Sequence, residues 1–123
     1  MERKWWQKAV IYQIYPFGFC GAPKENDGVV TSRILRVLDI VPHLVRMNVS
    51  GVYFCPIFES SNHGYDTKDF AKLDARLGSN EDFKTVCRAL HENGIKVILD
   101  GVFNHVGRDF WAFRDVREHK WDS

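Results

Sequence analysis

The residues able to do chemistry fall into two short groups. Asp100-Gly-Val-Phe-Asn-His105 puts a carboxylate at the end of a β-branched run and follows it with an amide and an imidazole. His63-Gly-Tyr-Asp66 arranges an imidazole, a phenol and a carboxylate around one glycine. A carboxylate at a buried strand end is costly without partners. Asn104 and His105 can supply them, or they can meet a ligand hydroxyl; both readings are open. In the second group Gly64 permits a tight turn, and Tyr65 offers a flat apolar face with a polar tip. A sugar ring presents C–H bonds on one face and hydroxyls at its rim, so one aromatic platform beside one carboxylate suits it. A loop anchored by a buried tyrosine would leave the same trace. A metal is the competing chemistry, since His63, Asp66, Asp100 and His105 could be drawn around one ion. Neither His-x-His nor His-Glu-x-x-His spacing supports a catalytic metal. A structural calcium near Asn104 is the milder option, because calcium takes amide and backbone oxygens.

These groups need elements to position them. Ala9 to Tyr15 is β-branched and aromatic and stops at Pro16, which predicts a buried strand. Phe17 to Gly28 reads as a loop. Thr31 or Ser32 caps a helix with Ile34, Leu35, Leu38, Val41 and Val45 on one face, ending near Asn48. Pro42 lies inside that pattern and should break it, or open a second helix capped by Asp39. Gly51 to Cys55 is a second strand, and Ile57 to Gly78 a long loop without periodicity. Ser79 and Asp82 resemble a capping box ahead of Phe83, Val86, Cys87 and Leu90, which share a helix face. Gly94 suits a helix C-terminus, Ile95 to Leu99 forms a third strand, and a short helix follows over Trp111 to His119. The resulting β-α-β-α-β order predicts an α/β fold with a parallel sheet and right-handed crossovers. Ligands of such sheets bind at the C-terminal strand ends, where both chemical groups fall.

Bulk properties narrow the function. The 123 residues carry a formal net charge of +1, so no basic surplus is available to grip nucleic acid. Hydrophobic residues make up 45% and charged residues 27%, which is globular rather than disordered composition. No apolar stretch is long enough for a membrane span, and the N-terminus lacks the apolar run of a signal peptide. Cys20, Cys55 and Cys87 are an odd count without paired spacing, which fits a reducing, cytoplasmic setting.

Taken together, the motifs resemble the α-amylase family. Asp100-Gly-Val-Phe-Asn-His105 is similar to that family's Asp-x-Val-x-Asn-His region. His63-Gly-Tyr-Asp-Thr67 is similar to the His-Gly-Tyr-Asp stretch after its second strand. Val10-Ile-Tyr-Gln-Ile-Tyr-Pro16 and Val52-Tyr-Phe-Cys-Pro-Ile-Phe-Glu59 resemble its first two strands, in the same order and spacing. Gly107-Arg-Asp-Phe-Trp111 looks most like the cyclomaltodextrinase and neopullulanase branch.

The resemblance implies a partial (β/α)8 barrel, its first three parallel strands joined by two helices, with residues 1–123 forming the N-terminal segment of the catalytic domain. It implies a parent enzyme that hydrolyses α-glucan oligosaccharides with retention. Tyr65 would stack on the sugar at the bond to be cut, His63 and His105 would hydrogen-bond its hydroxyls, and Asp66 would contact a hydroxyl toward the non-reducing end. Asp100 would brace the centre from behind, and Asn104 would be a calcium ligand, as in many relatives. No cofactor is required. The family's nucleophile and acid, about 5 Å apart in a retaining pair, arise after strands four and five, so the expectation is that they lie beyond Ser123. The chain would then stop near the start of the domain inserted after strand three and be inactive alone. A non-catalytic carbohydrate-binding or interaction module is the alternative. Three barrel strands leave free edges, which predicts either self-association through Val10, Ile14, Val52, Phe54, Val97 and Leu99 or a chain of marginal stability.

Overall fold

The computed structural model describes residues 2–123. Three strands form a parallel sheet in the order β1 (Ile11–Ile14), β2 (Gly51–Phe54), β5 (Lys96–Leu99). Its register aligns Ile14 with Phe54 and Leu99, and Tyr12 with Val52 and Val97. In-register residues of a parallel sheet share a face. One face therefore carries Tyr12, Ile14, Val52, Phe54, Val97 and Leu99, and all but Leu99 pack into or against the main core. That core is completed by Ile34, Val37, Val41 and Leu44 from one crossover and Val86 and Leu90 from the other. Each fully buried aliphatic side chain contributes about 1.5–3 kcal/mol.

This register corrects the expected self-association surface. Ile14, Val52 and Phe54 are buried under the crossover helices, and Val97 packs against them. Of the six residues expected to be open, Val10 and Leu99 are exposed. The opposite face holds Ile11, Gln13, Tyr53 and Ile98, and it is the one without a helix layer.

The first crossover differs from a single helix. Arg33–Ile40 winds as a 3-10 helix and Val41–Arg46 continues as α2, with Pro42 in its first turn. The cap of α2 is Ile40 rather than Asp39, and Ser32 makes no capping bond. The Ser32 hydroxyl donates instead to the Asp82 carboxylate at 2.8 Å. Eclipsed i, i+3 positions of a 3-10 turn bury Ile34 with Val37, and Val45 is left exposed. Asn48, at φ 57°, ends the element in the left-handed region.

The second crossover contains a hairpin where a loop was expected. β3 (Phe58–Ser60) pairs antiparallel with β4 (Thr67–Leu73), with irregular register on both sides of Glu59. Those irregularities, and the polar Lys68, Asp69 and Lys72 in β4, erase the period-2 signal. Helix α3 (Asn80–Glu92) follows. The Ser79 hydroxyl accepts from the Asp82 amide at 3.1 Å, and the Asp82 carboxylate accepts from the Ser79 amide at 2.8 Å. Gly94, at φ 72°, takes the left-handed turn that releases the chain into β5. Residues 17–28 are irregular except for one helical turn, α1 (Pro16–Phe19), opened by Pro16. Helix α4 (Trp111–His119) occupies the expected span.

Candidate functional site

The C-terminal ends of β1, β2 and β5 converge, and both chemical groups sit there. After β2 the chain forms the β3–β4 connection, a tight bracket from Asn62 to Asp66. The Asp66 carboxylate accepts from the backbone amides of Asn62 (2.8 Å), His63 (3.1 Å) and Gly64 (3.2 Å). Burial raises the Asp66 carboxyl, but these donors and the neighbouring His63 outweigh burial and hold it below the usual carboxylate range. Gly64 is required here: it sits at φ 95°, and a Cβ would lie 2.9 Å from the Phe17 ring and 3.0 Å from the Pro56 carbonyl.

The bracket projects Tyr65, whose side is 40% exposed, beside His63, with ring centroids 6.1 Å apart. The Tyr65 amide donates to His63 Nδ1 at 3.2 Å, which fixes the imidazole. Burial at the phenol end, with Cys55 and Asp100 nearby, pushes the Tyr65 pKa up to about 12. Its hydroxyl is therefore a neutral donor at any ordinary pH.

His105 joins from the other group. Its Nε2 lies 3.0 Å from the Tyr65 carbonyl, so the two separate sequence motifs meet. Gly107 lets that segment dock: its amide donates to the Thr67 carbonyl at 2.8 Å, and a Cβ would lie 2.4 Å from the Asp66 carbonyl oxygen. Asp100 follows β5, and its carboxylate, together with burial, raises the pKa of the Tyr53 phenol. Asn104 is exposed. Among the described residues no group of three or more His, Cys, Asp or Glu gathers to hold a metal ion.

The sugar-type residues His63, Tyr65, Asp66 and His105 are therefore brought together, with Asp100 behind them. Sequence reasoning missed the residues that support them. Gln13 Nε2 donates to Cys55 Sγ at 3.1 Å, and Tyr53 feels the charge of Asp100, both on the face opposite the core. The alternation Val52-Tyr53-Phe54-Cys55 carries that signal, since the two faces of one strand must differ. Arg76 and Asp74, both fully buried as an ion pair at 2.9 Å, were also missed. Arg76 had no period to mark it.

A parallel α/β unit with an aromatic and imidazole platform at its strand ends defines one sector of a (β/α) barrel of the glycosidase kind. Residues 13–123 match the family model described as the alpha amylase catalytic domain, and the chain belongs to that family. It is 38% identical over 130 aligned residues to neopullulanase 2 of Thermoactinomyces vulgaris, covering 92% of this chain and 22% of that protein. A cyclomaltodextrinase of Bacillus sp is 36% identical, covering 91% of this chain and 23% of the relative. Among solved structures, the cyclic α-maltosyl-(1→6)-maltose hydrolase of Arthrobacter globiformis in complex with cyclic α-maltosyl-(1→6)-maltose superposes with a TM-score of 0.80 at 32% identity. That match covers 97% of this chain and 30% of the enzyme. The chain spans roughly a fifth of the length of these curated relatives (22% and 23%).

Proposed function

We propose that these residues form the sugar-holding side of a cleft in a retaining glycosidase acting on α-glucan oligosaccharides. The carrying observation is Tyr65, presented half-exposed between His63 and His105 by a bracket that the Asp66 carboxylate closes. An aromatic face takes the C–H side of a glucose ring, and the two imidazoles and Asp66 reach rim hydroxyls. The names of the relatives, a neopullulanase and a cyclomaltodextrinase, support an α-glucan as the ligand.

Retaining hydrolysis needs two carboxyl groups about 5 Å apart, one free to attack and one to donate a proton. Asp66 is committed to three backbone amides, and Asp100 matches a supporting position of the family rather than its nucleophile. On this reading these residues hold a sugar and leave the cutting to carboxylates outside them. The three unpaired cysteines support a reducing, cytoplasmic setting. Self-association is assigned to the uncovered sheet face and the edges of β1 and β5.

Maltotriose titrated into the purified chain tests this, read by NMR at the Tyr65 ring with reducing-sugar release assayed alongside. Saturable shifts without release are expected. Tyr65→Ala should weaken binding by about 1–3 kcal/mol, roughly 5- to 150-fold, as the buried aromatic contact is lost. No shift at any sugar concentration removes the sugar-holding role. Release that tracks the protein and vanishes in Asp100→Asn would make Asp100 a cutting group.

A further inference from the structure

Arg76 lies behind the sugar-facing residues and has no part in the site as described. Its side chain is fully buried and pairs with Asp74, Nε to Oδ1 and Nη2 to Oδ2 both at 2.9 Å. A buried ion pair is by itself a poor stabiliser, because desolvation offsets most of the attraction, and a well-packed apolar pair often does as well. The remaining donors do what no apolar pair could. Nη1 reaches the carbonyls of Pro23 (3.0 Å), Lys24 (2.8 Å) and Asn62 (2.7 Å), and Nη2 also reaches Ser60 Oγ at 3.1 Å. The guanidinium stacks over the buried Phe17 ring, 4.3 Å from its centroid.

One planar group thus ties together two segments far apart in sequence. Pro23, Lys24 and Phe17 belong to the segment after β1, whereas Ser60 ends β3 and Asn62 opens the β3–β4 connection. Asn62 is the first residue of the Tyr65 bracket. Its carbonyl is gripped from inside by Arg76 and its amide from outside by Asp66. Phe17, stacked on Arg76, is also the ring against which Gly64 closes. Between the two segments lies a cleft of about 550 Å³ that Tyr15, Lys24, His63 and Arg76 help to line, so the same contacts set its width.

We propose that Arg76 is a positioning residue for the Tyr65–His63 platform. It locks the Asn62 end of the bracket onto the segment after β1, so the platform is already in place when sugar arrives. The inference rests on the sugar-holding reading for its consequence, but not for its structural content. A preformed site binds more tightly because its competent fraction is near one; a loop correctly placed one time in ten binds about tenfold more weakly.

Two variants test it. Arg76→Lys keeps a cation opposite Asp74, but one ammonium cannot span carbonyls and a hydroxyl on three sides. Arg76→Met combined with Asp74→Leu removes both charges and leaves the space filled, which guards against simple unfolding. Amide hydrogen exchange is measured in the sugar-free chain at Asn62, His63 and Gly64, with α3 as the internal reference. The expected result is exchange accelerated about tenfold at the bracket in both variants, with α3 unchanged and the maltotriose Kd raised by a similar factor. Unchanged bracket exchange in the double variant overturns the proposal. So does equal acceleration of bracket and α3, which would make Arg76 merely structural. So does selective loosening with unchanged affinity in a chain that binds sugar. A wild-type chain that fails to bind maltotriose overturns the sugar-holding reading instead, and the exchange data still judge the role of Arg76.

Discussion

The Asp66 carboxylate accepts three backbone amides within its own five-residue bracket, and this makes the bracket responsive to pH. Its folded pKa lies below the unfolded value, so its contribution is full above the ordinary carboxylate value of 3.8 and is lost as pH falls through the lower folded value. Asp66→Asn keeps the shape but replaces an ionised acceptor with a neutral one, which should cost about 1–2 kcal/mol at pH 7. Thermal unfolding followed from pH 7 downward checks this. The gap between wild type and variant should close as the wild-type carboxylate protonates, whereas a constant gap would mean its charge is irrelevant. Burial pushes the Cys20 thiol up to about 11, with Arg36 opposing, and raises Cys87 as well.

At the scale of the element, α3 is the best-specified piece. Its capping box joins Ser79 and Asp82 reciprocally, and Asp82 also accepts from Ser32 in the preceding crossover. The backbone amide of Ser79, followed by these hydroxyls, holds the Asp82 carboxyl low against burial. Ser79→Ala should destabilise the chain by about 1 kcal/mol, seen as a lower denaturation midpoint with an unchanged urea slope. A changed slope would mean that the helix start organises more than itself. The same helix sends Phe83 edge-on against Phe54 with centroids 5.5 Å apart, so capping fixes how α3 meets β2.

At the scale of the whole molecule, the sheet is covered on one face only, and among the described residues β1 and β5 are its edges. Ile11 is 46% exposed on the uncovered face. Unpaired edges and an uncovered apolar face favour pairing with another chain. Sedimentation of the purified chain should show species larger than a monomer, and Ile11→Lys with Ile98→Lys should shift them toward monomer. A monomeric wild type that unfolds cooperatively would remove the self-association proposal.

Several features were legible because they are local. The strand runs at Ile11–Ile14, Gly51–Phe54 and Lys96–Leu99, the capping box at Ser79, the turn at Gly94 and the span of α4 all follow from short-range sterics and hydrogen bonding. The closeness of His63, Tyr65 and Asp66 was legible as well, because His63 to Asp66 form one turn. Other features depended on partners distant in sequence. Whether Val52 or Tyr53 faces the core is set by which face the crossover helices cover. The β3–β4 hairpin is hidden by its own irregular register. That His105 meets the Tyr65 carbonyl depends on Gly107 docking against Asp66 and Thr67. Arg76 reads as one more surface cation until the fold closes around it, because only tertiary structure brings Pro23, Lys24, Ser60, Asn62 and Asp74 within reach of a single guanidinium. The sequence by itself therefore determined the three sheet strands, α3, α4 and the local turns. The tertiary structure decided which face is buried, which loops touch and what holds the platform still, because those contacts join residues that no local pattern connects.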